Sequence, residues 1–207
     1  MTADIVIVDY GMGNIHSVFN AFSFLGCKVK LSSDPEVILK APKLVLPGVG
    51  SFRAAMARLD SLFISDAIKQ AVTTNGSTIL GICLGLQLLA ESSSEEAETS
   101  GLALVNGKIG EFTNLGSELV KIPHVGFDQV DVASGSKLMD GLGPFSDFYF
   151  VHSYRLKATS SLGPHSTCSY GGGFLATIEI DNVYGAQFHP EKSQINGLKV
   201  LSNFIGL

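Results

Sequence analysis

The sequence predicts an α/β fold of three layers: a mainly parallel twisted sheet flanked by helices, with added antiparallel strands in the C-terminal half. Three features predict it. Through residue 91, short apolar β-type runs alternate with segments whose apolar residues recur every three or four positions. Within Ser77–Ala90, the strand-type run Thr78–Leu80 passes almost directly into a helix-type run from Leu84, with Gly81 and Gly85 flanking Cys83. Late in the chain, Thr177–Ile180 and Val183–Phe188 flank Asp181-Asn182, which reads as a hairpin. A length of 207 residues fits one domain, 1–207, with room for a sizeable core.

In order, Asp4–Tyr10 reads as the first strand, and Gly26 stops the periodic helix that follows from Ile15. Gly11-Met12-Gly13 lacks the third glycine and the downstream acid of a dinucleotide site, so it reads as a tight β–α loop. Asp34-Pro35-Glu36 opens a short helix with an N-cap, a proline and an acid in its first turn. Lys43–Leu46 is a strand ending in Pro47-Gly48-Val49-Gly50-Ser51, where glycines let backbone amides converge; Ser51–Leu59 and Ser61–Val72 read as helices. Glu91–Glu96 reads as a solvated polar loop without function. Leu102–Val105, Gly107–Phe112 and Phe127–Val132 read as short antiparallel strands joining the same sheet, interrupted by a loop at Pro123–Asp128 that carries His124. Phe148–Tyr154 alternates aromatic and apolar residues as a half-buried strand does, with His152 structural, and Asn196–Phe204 is a closing amphipathic helix.

Composition excludes several classes. A net charge of −5 and a pI near 5.5 argue against nucleic acid. The longest apolar run, Ile79–Ala90, is too short for a membrane span of about 20 residues, and the N-terminus does not resemble a signal peptide. Cys27, Cys83 and Cys168 show no paired spacing, which fits a reducing cytoplasm, no disulfide and no metal site.

The chemistry concentrates at two places. A strand that turns directly into a helix forces its pivot into a strained, exposed conformation and needs small residues at −2 and +2; here a thiol is the pivot. Cys83 would then sit at a helix N-terminus, where unpaired amides and the dipole favour thiolate. A buried cysteine in a Gly-rich turn would look the same in isolation. A cysteine nucleophile also needs an imidazole to take its proton and a carboxylate to orient that imidazole. His189 and Glu191, two apart around Pro190 in an extended segment, would put both side chains on one face.

Gly81-Ile82-Cys83-Leu84-Gly85-Leu86-Gln87 with Phe188-His189-Pro190-Glu191 resembles the triad-type (class I) glutamine amidotransferases. Leu46-Pro47-Gly48-Val49-Gly50-Ser51-Phe52 and His189-Pro190-Glu191-Lys192-Ser193 are similar to the glutaminase subunits of imidazole glycerol phosphate synthase, and the likeness runs from Asp9–Asn14 to the last helix. The resemblance implies hydrolysis of L-glutamine to glutamate and ammonia, with Cys83, His189 and Glu191 as the triad. It implies an oxyanion hole from the amides of Val49 and Leu84, and substrate contacts at Gly48, Gly50, Gln87, Ser153 and Tyr154. It implies no cofactor and no metal. The implied partner, in a cytoplasmic heterodimer, is a (β/α)8-barrel cyclase subunit that receives the ammonia and forms imidazole glycerol phosphate and AICAR in histidine biosynthesis. Lys192 and Ser193 would help set that interface. Phe127-Asp128 stands where the family usually has Trp-Asn, a departure in the docking region. Three alternatives stay open: a triad amidotransferase serving another synthase, a non-catalytic module, and a cysteine peptidase-like hydrolase. The second should lack a triad member, and Gln87 with the two glycine loops favours a small amide over the third.

Overall fold

A computed structural model describes residues 4–112, 120–157 and 163–207. Strands β1 (Ile5–Val8), β2 (Val29–Ser32), β3 (Lys43–Gly48) and β4 (Thr78–Cys83) are followed by β5 (Ala90–Ser93), β6 (Thr99–Ser100), β7 (Val105–Glu111), β8 (His124–Asp131) and β9 (Phe145–His152). After them come β10 (Tyr154–Lys157), β11 (Thr167–Cys168), β12 (Phe174–Leu175), β13 (Thr177–Ile180) and β14 (Val183–Ala186). The helices are α1 (Ile15–Phe24), α2 (Pro35–Leu39), α3 (Phe52–Ser61), α4 (Ile64–Thr73), α5 (Leu84–Leu88) and α6 (Gln194–Gly206).

The central sheet has the order β13-β14-β4-β3-β1-β2, with every pairing parallel except the β13–β14 hairpin. Its strands are apolar on both faces because helices cover both. Val6, Val8, Leu44 and Leu46 pack toward Phe52 and Leu59 of α3 and Ile68 of α4. Ile5, Ile7, Val45 and Leu80 pack oppositely, toward Phe22 of α1 and Leu201 and Phe204 of α6. Each such side chain contributes about 1.5–3 kcal/mol by burial. The helix starts follow local chemistry: Asp34 accepts the Glu36 N–H at 2.9 Å, and Ser51 accepts that of Ala54 at 3.3 Å.

Four expectations are revised. The middle strands do not join the central sheet; they form two further sheets, β10-β7-β5-β6 and β12-β11-β8-β9. The run expected as a solvated loop at 91–96 begins as strand β5, with Ser93 fully buried. Its hydroxyls are satisfied locally, Ser92 donating to Glu98 at 2.8 Å and Ser93 accepting from the Glu95 N–H at 3.1 Å, so no apolar pattern announced it. The expected loop at Pro123–Asp128 is mostly β8, because the His124 ring stacks between Tyr170 and Phe150 at 3.9 and 4.8 Å. Finally, α4 starts at Ile64, since Phe63 adopts a left-handed φ of 59° that breaks the chain from α3.

Parallel β1, β3, β4 and β14 all deliver their carboxyl ends to one edge, where sites on such sheets form. Gly48 pairs with Cys83 there, and three residues beyond Ala186 lies His189. Among the described residues no helix is long and apolar enough to cross a membrane.

Candidate active site

Cys83 ends β4 and precedes α5 with φ 54° and ψ −109°. For a residue with a side chain, such a conformation costs on the order of 1–3 kcal/mol and persists only when its surroundings impose it. They do. A Cβ on Gly81 would lie 2.7 Å from the Leu86 nitrogen, and one on Gly85 would overlap the Leu46 carbonyl oxygen. Small residues at −2 and +2 therefore let α5 fold back onto β3 and β4, as the sequence pattern requires. The Cys83 side chain is buried; its Sγ lies 3.7 Å from the Val151 carbonyl oxygen and 3.8 Å from Nε2 of Gln187.

His189 is held from several sides. Its N–H donates to the Tyr149 carbonyl at 2.9 Å. The Ser193 hydroxyl donates to the His189 carbonyl at 2.7 Å and accepts the Tyr149 N–H at 2.9 Å. Ser193, expected at an interface, is therefore an interior clamp, 1% exposed. His189 itself is extended, but Pro190–Lys192 form a 3-10 turn in place of the extended segment expected, because proline at the first position starts the turn. The turn brings Glu191 back under the ring, with Nδ1 and Oε1 2.8 Å apart and the two side chains 2% and 1% exposed.

A carboxylate accepts, so Nδ1 donates, and Nε2 is the atom left for chemistry. Nε2 is buried, with no hydrogen-bond partner among the described residues. The Cys83 sulfur lies close enough to act on the ring. Burial pulls the imidazole down, but Cys83 and Glu191 together outweigh burial and push its pKa up to about 9.

In front of Cys83 lies a cleft of about 290 Å³. Of the residues singled out from sequence, Val49, Gly50, Cys83, Leu84, Gln87, Ser153 and Tyr154 line it. Leu84 is the first residue of α5, so its N–H has no partner within the helix. Gly48, His189 and Glu191 are not among the lining residues; Gly48 packs against Tyr10 and Leu84. Gln87 donates from Nε2 to the Tyr154 carbonyl at 2.9 Å. Lys192 is exposed, its ammonium 5.7 Å over the Tyr149 ring.

Sequence reading missed two residues here. Among the described residues, Glu95 is the one acidic residue lining the cleft. Its carboxylate accepts the Phe52 N–H at 2.8 Å, and burial raises its pKa. Within a run of polar residues and several glutamates, nothing in the sequence distinguished it. Gln187, fully buried against the thiol, lay within the strand expected at Val183–Phe188 but drew no role because an amide carries no titratable signal.

Among the described residues no cluster of His, Cys, Asp and Glu is arranged to hold a metal. The arrangement can perform acyl transfer: a thiol on a strained pivot, an oriented imidazole near it, and an adjoining cleft.

The sequence model of class I glutamine amidotransferases matches residues 6–206. Imidazole glycerol phosphate synthase subunit HisH 2 of Methanococcus maripaludis is 43% identical over 201 residues, covering 97% of this chain and 98% of that protein. Subunit HisH of Syntrophotalea carbinolica is 42% identical over 204 residues, covering 97% and 98%. The structure of PurLQS from Thermotoga maritima shares the fold, with a TM-score of 0.70 at 16% identity over 100% of this chain and 99% of that one. Matched along nearly its whole length in both ways, the chain belongs to the class I glutamine amidotransferases and, within them, to the HisH subunits of imidazole glycerol phosphate synthase.

Proposed function

We propose that this subunit hydrolyses the side-chain amide of glutamine through Cys83, His189 and Glu191 and passes the ammonia to a synthase partner in histidine biosynthesis. The observation that carries the proposal is a strained cysteine pivot with a sealed His189–Glu191 pair near it on one sheet edge.

The Cys83 thiolate attacks the amide carbon, and the carbonyl electrons move to oxygen. The N–H groups of Val49 and Leu84 receive that charge, a contribution whose loss typically costs ~10²–10³ in rate. The His189 imidazolium donates its Nε2 proton to the departing nitrogen, the C–N bond breaks, and ammonia leaves a thioester. Acylation removes the sulfur's charge, one of the two influences that raise His189. The imidazole can then accept a proton from water, which attacks the thioester; the C–S bond breaks and glutamate is released. Glu95 receives the substrate α-ammonium, and Gln87 with the Ser153–Tyr154 backbone borders the same end of the cleft. No step uses a cofactor.

The relatives are named as subunits, so this chain works with a partner subunit. The partner is a (β/α)8-barrel cyclase in a heterodimer. Val125, Phe127 and Phe145 support a docking role for the β8–β9 pair, being 54%, 52% and 61% exposed. Catalysis takes place in the cytoplasm, in keeping with three free cysteines.

Glutamate release is the test, measured for the purified chain alone and with a barrel cyclase subunit holding a phosphoribosyl ligand. Stimulation by that partner is expected. Activity indifferent to it would overturn the partner assignment, and no glutamate in either case would overturn the chemistry. Glu95→Gln should raise KM for glutamine about tenfold with kcat little changed, as loss of one charged hydrogen bond implies. A fall confined to kcat would remove Glu95 from α-ammonium binding.

A further inference from the structure

We propose that Gln187 is a positioning residue that donates a hydrogen bond to the Cys83 thiolate and ties the nucleophile to the glutamine-binding end of the cleft. The inference rests on the glutaminase reading above.

Gln187 is 0% exposed, and its backbone N–H is fixed to the Ala176 carbonyl at 2.9 Å. A buried amide that leaves a donor or acceptor unmatched is destabilising, so the direction of this amide is set by its neighbours. The direction can be read from a backbone carbonyl outward. Tyr154 C=O only accepts, so the Gln87 group 2.9 Å away is its NH2. That NH2 lies 3.2 Å from one end of Gln187, which is therefore the oxygen, Oε1. The opposite end, Nε2, faces the Cys83 sulfur at 3.8 Å. Flipping Gln187 would set donor against donor at Gln87.

The sulfur thus lies between two groups of opposite preference. The Val151 carbonyl, 3.7 Å away, accepts from a thiol and repels a thiolate. The Gln187 NH2 does the reverse. Without that donor, the His189 cation alone offsets the Val151 carbonyl's preference for the inert form. The same chain of amides reaches Gln87, which lines the cleft, so a bound substrate presses on the path that ends at the sulfur.

The test is the pH dependence of Cys83 alkylation by iodoacetamide, read by peptide mass spectrometry so that Cys27 and Cys168 are counted apart. Full-length wild type, Gln187→Met and Gln187→Glu are compared. Removing a hydrogen bond to a charged group should raise the alkylation midpoint by about one pH unit in Gln187→Met. It should rise further in Gln187→Glu, which sets a carboxylate against the sulfur. The acid limb of the glutaminase profile should move by the same amount. A purely structural role predicts lower activity with an unmoved midpoint, and that result, or a Glu midpoint below the Met one, overturns the proposal. Should the variants not fold, wild type decides: the Gln187 side-chain NH2 resonances must titrate with the Cys83 midpoint and stop doing so in Cys83→Ser. Resonances that ignore the titration overturn it. Glutamate release with an unmoved midpoint defeats this inference alone, whereas no glutamate release defeats the reading beneath it.

Discussion

His189 and His152 are both nearly sealed from water, 2% and 6% exposed, yet their pKa values move in opposite directions. Burial penalises the charged form of each. For His152 nothing nearby reverses the penalty. Its Nδ1–H donates to the Tyr154 carbonyl at 2.9 Å, which helps the cation slightly, but His124, His189 and Arg155 all oppose a further positive charge. The result is a pKa pulled down to about 3. His189 meets a carboxylate and a sulfur instead, and rises to about 9. The partner's charge, not depth, decides which histidine can carry a proton through a reaction. Near neutral pH, His152 is therefore a neutral wall of the cleft, and His189 is the imidazole that holds a proton.

The widest gap between the two should appear in catalysis. His189→Ala should lower glutamate release by about a thousandfold or more, the scale of losing general acid–base transfer in a triad. Cys83→Ala should do the same with folding intact. Residual activity above about a thousandth of wild type would remove either residue from the chemistry. Glu191→Gln should lose about 10–100-fold less than His189→Ala, because the amide oxygen can still accept from Nδ1 while the charge that stabilises the imidazolium is lost. It should also lower the His189 pKa, readable as a shift of its ring resonances. A loss equal to that of His189→Ala would mean that the carboxylate does more than orient and stabilise.

What the sequence disclosed about these groups follows their chemistry. The elbow was legible because its tight turn admits no side chain at 81 and 85, where the sequence has glycines around Cys83, and His189-Pro190-Glu191 because three unusual residues stand together. The central sheet was legible from runs apolar on both faces. The middle sheets were not, since β5 is built of serines whose hydroxyls find local partners, and β8 starts at a histidine buried by aromatic stacking. Glu95 and Gln187 were invisible for a related reason: their positions are set by folds of the chain far away in sequence, from Phe52 and Gln87.

The smallest effect tests the other histidine. An unfolded histidine titrates near 6.5, whereas folded His152 stays neutral down to about 3. As pH falls below about 6.5, the unfolded chain gains a proton that the folded chain refuses, so this residue's share of stability is full above 6.5 and drains away toward 3. The slope it contributes is at most about 1.4 kcal/mol per pH unit. His124 is also pulled down by burial, despite Asp128 at 3.3 Å, and adds to the same acid sensitivity. The isolating measurement is therefore a difference, with urea unfolding of wild type and His152→Gln compared from pH 7 to pH 4. Glutamine keeps a donor for the Tyr154 carbonyl but loses ring contacts with Phe112 and Phe174, 5.1 and 4.9 Å between centroids, which lowers stability equally at every pH. The variant's curve should start lower and fall less steeply than wild type. Parallel curves would mean that His152 is already protonated when folded, and that the contrast with His189 is one of degree.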